Sequence, residues 1–167
     1  MHHAVLPSTG GSPSFHCRPG SPIVFDKVLV VCIGNICRSP TAEYLLRHRL
    51  GARATTIESA GLAALAGNPV DPFAGELLAE HGIDASAHRA RQLDEEAVAG
   101  ANLILVMQRS HVASLAKRWP HAVGRTFLLG KWQGEREIPD PYRQPRAAFE
   151  QAYRLIDEGV DGWLKHL

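Results

Sequence analysis

The sequence lacks the features of several specialised classes of protein. No apolar run approaches the roughly 20 residues that cross a bilayer, and no basic segment leads into an apolar signal core at the N-terminus. The net charge is only +1, so overall charge favours neither nucleic acid nor an anionic membrane as a partner. We therefore expect a soluble, cytoplasmic protein without membrane insertion or nucleic-acid binding.

Cysteine is also scarce, with three residues in a chain of 167. Two of them, Cys32 and Cys37, lie in one short segment, and this odd, clustered set is not the disulfide framework of a small secreted protein. A reducing cytoplasm agrees better with such thiols. The third, Cys17, lies among few apolar residues, and we expect no role for it.

The residues that are present indicate one α/β domain. An apolar content of 45% in 167 residues is enough for one substantial core. Residues 1–25 are rich in Pro, Gly, Ser and His, and we predict a disordered extension there because they bury too little apolar surface to offset their ordering entropy. Residues 26–167 are predicted to form the domain.

Strand-like and helix-like segments alternate along this domain. Predicted strands cover residues 27–32, 55–58, 102–107 and 126–129. Predicted helices cover residues 40–50, a segment that starts after Asp71 and ends at His81-Gly82, a short segment from Asp94, and residues 110–119 and 146–166. This alternation predicts a parallel sheet covered by helices on both faces, with a ligand site beyond the carboxyl ends of the strands.

The segment from Val28 to Leu50 is the most informative part of the chain. A β-branched apolar strand leads into the pattern Cys-x5-Arg-Ser and then into a helix with Pro40 near its start. A helix N-terminus offers unpaired N–H groups and partial positive charge, so the loop before it is suited to bind an anion. Gly34 and Asn35 tolerate the positive φ angles that such a loop needs when its N–H groups turn inward.

Cys32 and Arg38 supply reactive chemistry to this loop. A thiol is a nucleophile only as the thiolate, which a helix N-terminus and a nearby arginine favour. Arg38 can bind two phosphate oxygens through its planar fork and stays charged, while Ser39 can donate a hydrogen bond to the sulfur. The Lys and Ser/Thr of a magnesium-dependent nucleotide loop are absent at the required spacing, so neither a metal nor a cofactor is implied.

A phosphate ester with a poor leaving group also needs a proton donor, and Asp140 in the segment EIPDPYR is the candidate. Pro139 and Pro141 stiffen the backbone on either side of it. Tyr142 is placed to present an aromatic wall to a phenyl ring. An Asp-Pro pair alone is usually an ordinary turn, so this prediction depends on the Cys-x5-Arg loop.

Four segments, CIGNICRSP, SAG, HRARQ and DPYR, resemble in order and spacing the low-molecular-weight protein tyrosine phosphatases, from Lys27 to the C-terminus. The forms VCIGNICRSPTAE and EIPDPYR are similar to the bacterial branch associated with tyrosine kinases of capsule and exopolysaccharide production. The resemblance implies a three-layer, doubly wound, four-stranded parallel sheet of flavodoxin-like order 2-1-3-4. It also implies hydrolysis of protein phosphotyrosine, with a cognate tyrosine kinase as a partner and phosphate as product or inhibitor.

The resemblance further implies a role for each matching residue. Cys32 would form a phosphocysteine, Arg38 would hold the phosphoryl oxygens, and Asp140 would protonate the phenolate and then activate water. The implied phosphate-binding loop consists of Ile33, Gly34, Asn35, Ile36, Cys37 and Arg38. The implied loop support consists of Asn35, Ser39, Ser59 and His88, and the implied substrate rim of Leu62 and Tyr142.

For Cys37, the resemblance implies a reversible disulfide with Cys32 under peroxide, which would protect the nucleophile from overoxidation. A small packed side chain is the alternative for Cys37.

Two other functions of the protein also stay open. An arsenate reductase on the same fold would reuse the loop but needs further redox cysteines downstream, which the chain lacks. A non-catalytic phosphate- or phosphotyrosine-binding module would require neither a nucleophile nor an acid.

Overall fold

The computed structural model describes residues 25–167. Its strands are β1 (Lys27–Cys32), β2 (Thr56–Gly61), β3 (Leu103–Val106) and β4 (Thr126–Leu128). Its helices are α1 (Arg38–Leu50), α2 (Pro72–Glu80), α3 (Glu95–Gly100), α4 (Arg109–Arg118) and α5 (Arg146–Leu164), with short 3-10 helices at Pro120–Arg125 and Lys131–Gln133. Each helix in residues 25–167 is either too short or too polar to span a bilayer.

The predicted disordered extension lies outside the described residues except at its last position. Residues 1–24 are not among them. Phe25, the first described residue, is half-buried and packs against the hydrophobic core.

The four strands pair in parallel in the order β2-β1-β3-β4. The register places Val30 of β1 opposite Ser59 of β2 on one side and Leu105 of β3 on the other. All of β3 and nearly all of β1 are buried, as expected for central parallel strands with helices on both faces. The predicted fold class and strand order are confirmed.

Side-chain alternation along β1 divides the interior into two hydrophobic cores, one on each face of the sheet. Val28, Val30 and Cys32 face the core that α1, α2 and α5 cover. Leu29 and Val31 face the core that α3 and α4 cover. The alternation therefore directs the side chain of Cys32, the last residue of β1, to the α1 and α5 side at the carboxyl edge of the sheet.

Capping residues set the start of two helices, which begin where the sequence predicts, after Asp71 and at Asp94. Asp71 accepts a hydrogen bond from the backbone N–H of Phe73, and Pro72 occupies the first helical position of α2. Asp94 caps α3 by accepting from the N–H of Ala97 at 2.8 Å.

The start of α1 and the end of β2 are among the element boundaries that differ from the prediction. Helix α1 begins at Arg38, two residues before Pro40, because proline is tolerated in a first turn where its missing N–H would have no partner. Strand β2 continues to Gly61, which pairs with Cys32, whereas glycine in a sequence usually indicates the end of a strand. A Cβ at Gly61 would lie 2.4 Å from the carbonyl oxygen of Ile33, so the close approach of these two segments requires glycine.

Candidate active site

The segment between β1 and α1 is a loop whose carbonyl groups are bonded on its outer side. Five consecutive carbonyl oxygens accept hydrogen bonds from other segments, those of Cys32, Ile33, Gly34, Asn35 and Ile36. The donors are the backbone N–H groups of Leu62, Ala63, Leu65 and Asp71 and the imidazole of His88. In a trans peptide, the C=O and the N–H that follows it point in opposite directions. The N–H groups of residues 33–37 therefore point away from these partners, and none of them donates to another group in residues 25–167.

The loop lines a pocket of about 160 Å³. Cys32 and Arg38 are its buried polar base, while Ile33, Leu65 and Tyr142 are partly exposed around its mouth. The pocket is therefore polar where an oxyanion would meet the loop N–H groups and mainly apolar where the rest of a ligand would lie.

Cys32, the predicted nucleophile, has 3% of its surface exposed. Its Sγ lies 3.0 Å from the Oγ of Ser39. That same Oγ accepts a hydrogen bond from Asn35 Nδ2 at 2.8 Å, so the hydroxyl proton of Ser39 is available to the sulfur. The predicted hydrogen bond from Ser39 to Cys32 is compatible with this arrangement.

Asn35 is the centre of the predicted support network. It is completely buried and has a φ of 57°, which is unusual for a residue other than glycine. Its Nδ2 also donates to Ser59 Oγ at 2.9 Å, and its Oδ1 accepts from the N–H of Arg91 at 2.9 Å. The imidazole of His88 donates to its carbonyl oxygen at 2.7 Å. Asn35, Ser39, Ser59 and His88 are thus brought together as predicted.

Glu43 is a member of this network that sequence reasoning missed. The side chain is buried, accepts a hydrogen bond from the Ser59 hydroxyl, and lies 2.6 Å from Arg47 and 3.9 Å from Nδ1 of His88. The sequence did contain a signal, because Glu43 follows Ser39 by four residues and the two side chains share one face of α1.

The side chain of Arg38 is buried and is held by two groups from other segments. Its Nη1 donates to Gln108 Oε1 at 2.8 Å and to the carbonyl oxygen of Ile138 at 2.9 Å. Its Nη2 lies 3.4 Å from Asp140 Oδ2, and its Nε is buried without a partner among the described residues. These contacts leave Nε and part of Nη2 for an oxyanion. Gln108 was also missed, although it lies two residues after the end of β3, the strand next to β1, at the carboxyl edge of the sheet.

Asp140 and Tyr142 lie at the opposite wall of the same pocket. The side chain of Asp140 is 43% exposed, and its Oδ1 accepts from the N–H of Tyr142 at 3.1 Å, as in an Asx turn. The structure therefore brings the predicted acid and the predicted aromatic wall to Cys32 and Arg38, about a hundred residues earlier in the chain.

Comparisons with known proteins agree with this geometry. Residues 27–167 match the family model "Low molecular weight phosphotyrosine protein phosphatase". The chain belongs to this family. A curated member, the low molecular weight protein-tyrosine-phosphatase Wzb of Salmonella typhimurium, is 43% identical over 144 residues, which are 86% of this chain and 95% of that protein.

Solved structures of the phosphatase family are similar over the same region. Vibrio vulnificus Wzb in complex with benzylphosphonate has a TM-score of 0.82 at 44% identity, covering 86% of this chain and 100% of that chain. The YwlE arginine phosphatase from Geobacillus stearothermophilus has a TM-score of 0.76 at 30% identity, covering 84% and 97%. The predicted family and its bacterial branch are confirmed, and the arsenate reductase alternative is not favoured.

One predicted rim residue of the phosphatase pocket has a different position. Leu62 does not line the pocket. It follows β2 and lies two residues after Ala60, so both side chains point to the same face of the sheet. There Leu62 is half-buried and packs against the core under α3 and α4. Ala63 and Leu65, from the same loop, form that wall instead.

Two buried groups close to Arg38 have perturbed acidity. Burial raises the pKa of the Cys37 thiol far above its ordinary value, and the negative charge of Asp71 adds to the shift, so this thiol is neutral at pH 7. Burial lowers the pKa of His111 to about 4, and the positive charge of Arg38 adds to that shift. His111 is therefore an uncharged side chain, and its Nδ1 accepts a long hydrogen bond of 3.4 Å from the N–H of Met107.

Proposed function

We propose that this phosphatase hydrolyses protein phosphotyrosine through a phosphocysteine on Cys32. One observation carries the proposal: the thiol of Cys32, the guanidinium of Arg38 and the carboxyl group of Asp140 meet at one pocket. A module that only binds phosphate would need neither a nucleophile at the base of its anion site nor an acid at its rim.

In the first step, the Cys32 thiolate attacks phosphorus while the bond from phosphorus to the phenolic oxygen breaks. The N–H groups of residues 33–37 and the guanidinium of Arg38 stabilise the charge on the other phosphoryl oxygens. Asp140, in its protonated form, donates its proton to the leaving oxygen. The products are a free tyrosine side chain and phosphocysteine.

In the second step, water attacks the phosphocysteine and the sulfur departs as thiolate. The Asp140 carboxylate accepts a proton from this water, and Ser39, 3.0 Å from the sulfur, donates a hydrogen bond to the leaving thiolate. Inorganic phosphate is released. Arg38 and the loop N–H groups supply the positive charge that both steps need, so the proposal includes no metal or cofactor.

The pocket walls support phosphotyrosine rather than phosphoarginine as the substrate. Ile33, Leu65 and Tyr142 form a mainly apolar mouth that suits a phenyl ring. The guanidinium group of phosphoarginine would need a carboxylate to receive it. Within residues 25–167, Asp140 is the one acidic side chain that lines this pocket, and the mechanism uses it as the general acid, so no second carboxylate is left for a guanidinium. The benzyl group in the Vibrio vulnificus complex agrees with an aromatic occupant.

The proposal extends to the partner. The similarity of VCIGNICRSPTAE and EIPDPYR to the branch described above supports a cognate bacterial tyrosine kinase and its targets in polysaccharide production as substrates. A cytoplasmic location belongs to the same proposal, because a reducing compartment keeps Cys32 a free thiol.

The test is phosphate release from a phosphotyrosine peptide and from a phosphoarginine peptide of the same sequence, without added metal. The wild type is expected to prefer phosphotyrosine, and Cys32→Ser to lose activity by about a thousandfold or more, whereas Cys17→Ser is the matched control and should keep it. With p-nitrophenyl phosphate, whose leaving group departs with little assistance, rapid acid quenching should trap more phosphocysteine in Asp140→Ala than in the wild type, because the second step lacks its base. A preference for phosphoarginine, or activity retained by Cys32→Ser, would contradict the proposal.

We also propose the reversible disulfide between Cys32 and Cys37. Both thiols are free and buried beside the same pocket, and the raised pKa of Cys37 means that Cys32 rather than Cys37 is the thiol that peroxide oxidises first. After mild peroxide treatment, the wild type should lose two of its three thiols together and regain both with dithiothreitol, whereas Cys37→Ala should lose only one. Loss of a single thiol in the wild type would contradict this disulfide.

A further inference from the structure

We propose that the turn between β3 and α4 positions the general acid through a clamp formed by Glu137 and Arg109. Residues 135–142 are called the acid segment below, because they carry Asp140. The inference rests on the proposed function and deepens it: Glu137 and Arg109 are positioning residues that set where Asp140 stands relative to the leaving oxygen.

Helix α4 takes its N-terminal cap from the acid segment. The residue before the helix, Gln108, makes no side-chain capping bond, and the first turn contains no acidic residue. The carboxylate of Glu137 accepts a hydrogen bond from the backbone N–H of Arg109, the first residue of α4, at 2.8 Å. A carboxylate at this point satisfies a donor that has no partner within the helix and meets the positive end of the helix dipole.

Two further hydrogen bonds hold the acid segment to the same turn. The guanidinium of Arg109 donates to the carbonyl oxygen of Glu135 at 2.8 Å, and the N–H of Ile138 donates to the carbonyl oxygen of Met107 at 2.9 Å. The ion pair between Arg109 and Glu137, at 3.5 Å, contributes little alone because both side chains are well exposed. The bonds to backbone groups therefore fix the segment at residues 135, 137 and 138.

A stiff connection leads from these fixed residues to the acid. Pro139 has a restricted φ, and Pro141 restricts the backbone of Asp140, which precedes it. Outside its own turn, Asp140 contacts Arg38 at 3.4 Å, and its side chain is substantially exposed. The position of its carboxyl group thus depends on the residues before Pro139, and a displaced clamp would displace the acid.

The same turn holds Arg38 by a separate side chain. Gln108 Oε1 accepts from Arg38 Nη1 at 2.8 Å, whereas Glu137 bonds to Arg109 and makes no bond to Arg38 or the phosphate loop within the described residues. The carbonyl oxygen of Ile138 in the acid segment also accepts from Arg38 Nη1, at 2.9 Å, but Gln108 bonds to the same nitrogen independently of the acid segment. Loss of the Glu137 carboxylate should therefore impair proton donation and leave phosphate binding intact.

The test compares kcat/KM for two aryl phosphates, phenyl phosphate and p-nitrophenyl phosphate. Phenolate is a poor leaving group that needs the proton, whereas p-nitrophenolate departs with little assistance. Glu137→Ala is expected to lower kcat/KM for phenyl phosphate about tenfold more than for p-nitrophenyl phosphate. The inhibition constant of inorganic phosphate should stay within about twofold of the wild type.

Asp94→Ala is the matched control, because it removes the capping carboxylate of another helix, α3. It should lower thermal stability as Glu137→Ala does and leave the ratio of the two kcat/KM values unchanged. Glu137→Gln keeps an oxygen that can accept from the N–H of Arg109, and it should restore most of the wild-type ratio. If Glu137→Ala does not fold, Glu137→Asp carries the test, since its carboxylate is one methylene shorter.

An equal loss with both substrates, in Glu137→Ala or in Glu137→Asp, would overturn the clamp and leave the proposed function intact. The proposed function has its own check in the same assay. Asp140→Asn must change the ratio in the same direction and by more, and a wild type that turns over neither substrate would overturn the proposed function itself.

Discussion

The phosphate loop and the acid segment meet at one pocket, yet the loop is largely buried and bonded along its outer side, while the acid segment is mostly exposed and depends on the turn between β3 and α4. Asn35, at the centre of the loop, is fully buried, whereas the side chain of Asp140 is 43% exposed. Donors that stabilise the transition state act best when they need no reorganisation during the reaction. An acid must instead exchange its proton with water, which requires exposure.

The difference also concerns backbone strain. Asn35 keeps a φ of 57°, a conformation that costs roughly 1–3 kcal/mol in a residue other than glycine and persists only where the surroundings enforce it. Asn35 donates a hydrogen bond to Ser59 and accepts from Arg91 and His88, so the loop is held in this shape before an anion arrives. In the acid segment, two prolines provide the stiffness, and the side chain of Asp140 between them is exposed.

The largest loss of stability and activity is expected from a substitution at Asn35 in the phosphate loop. Asn35→Ala removes three side-chain hydrogen bonds and leaves alanine at a positive φ, so we expect the free energy of unfolding to fall by about 3 kcal/mol. We expect kcat/KM to fall about 100-fold for phenyl and p-nitrophenyl phosphate alike. Urea unfolding and steady-state kinetics measure both. Asn35→Gly separates the strain from the lost bonds, and wild-type stability in Asn35→Ala would show that the loop is not held as described.

A substitution in the exposed acid segment should lower activity without lowering stability. Asp140→Asn is expected to lower kcat/KM for phenyl phosphate about 100-fold, because a general acid is lost. The free energy of unfolding should change by less than about 0.5 kcal/mol, since the side chain is well exposed. A stability loss similar to that of Asn35→Ala would remove the distinction between the two sides.

The buried side chain of His111 should make the stability of the folded protein depend on pH. Its folded pKa of about 4 lies below its ordinary value of 6.5, so the unfolded state binds the proton first as the pH falls, and folded stability is lost between pH 6.5 and 4. The loss at pH 4 is on the order of 2 to 3 kcal/mol. His111→Gln has no ring to titrate, so its stability should fall less over this range in urea unfolding. If the free energy of unfolding fell equally with pH in the wild type and in His111→Gln, the lowered pKa of His111 would be contradicted.

The smallest effect is expected at the pocket mouth. Tyr142→Leu removes an exposed aromatic wall and should lower kcat/KM for a phosphotyrosine peptide about threefold to fivefold, or about 1 kcal/mol, without changing stability. Tyr142→Phe keeps the ring and should behave as the wild type. An effect of Tyr142→Leu as large as that of Asp140→Asn would show that the ring does more than line the mouth.

The predictions of local structure from the sequence succeeded where that structure depends on neighbouring residues. Asp71 was identified as a helix cap and Asp94 as the start of a helix, because such signals act within one turn. Cys32 and Arg38 could be proposed as site residues because an anion loop with a nucleophile needs these residue types at a fixed short spacing. The start of α1 was misplaced by two residues because its first turn tolerates Pro40. The end of β2 was misplaced by three residues because pairing with β1 extends the strand to Gly61.

The sequence by itself determined the alternation of strands and helices, the Cys-x5-Arg loop and the family. Only the tertiary structure decided that Gln108 holds Arg38, that Glu137 caps α4, and that Leu62 faces the other core. The bonded residues lie 70 and 28 positions apart in the chain. Contacts at such separations depend on how strands pair and how segments cross the carboxyl edge of the sheet, which patterns of neighbouring residues do not encode.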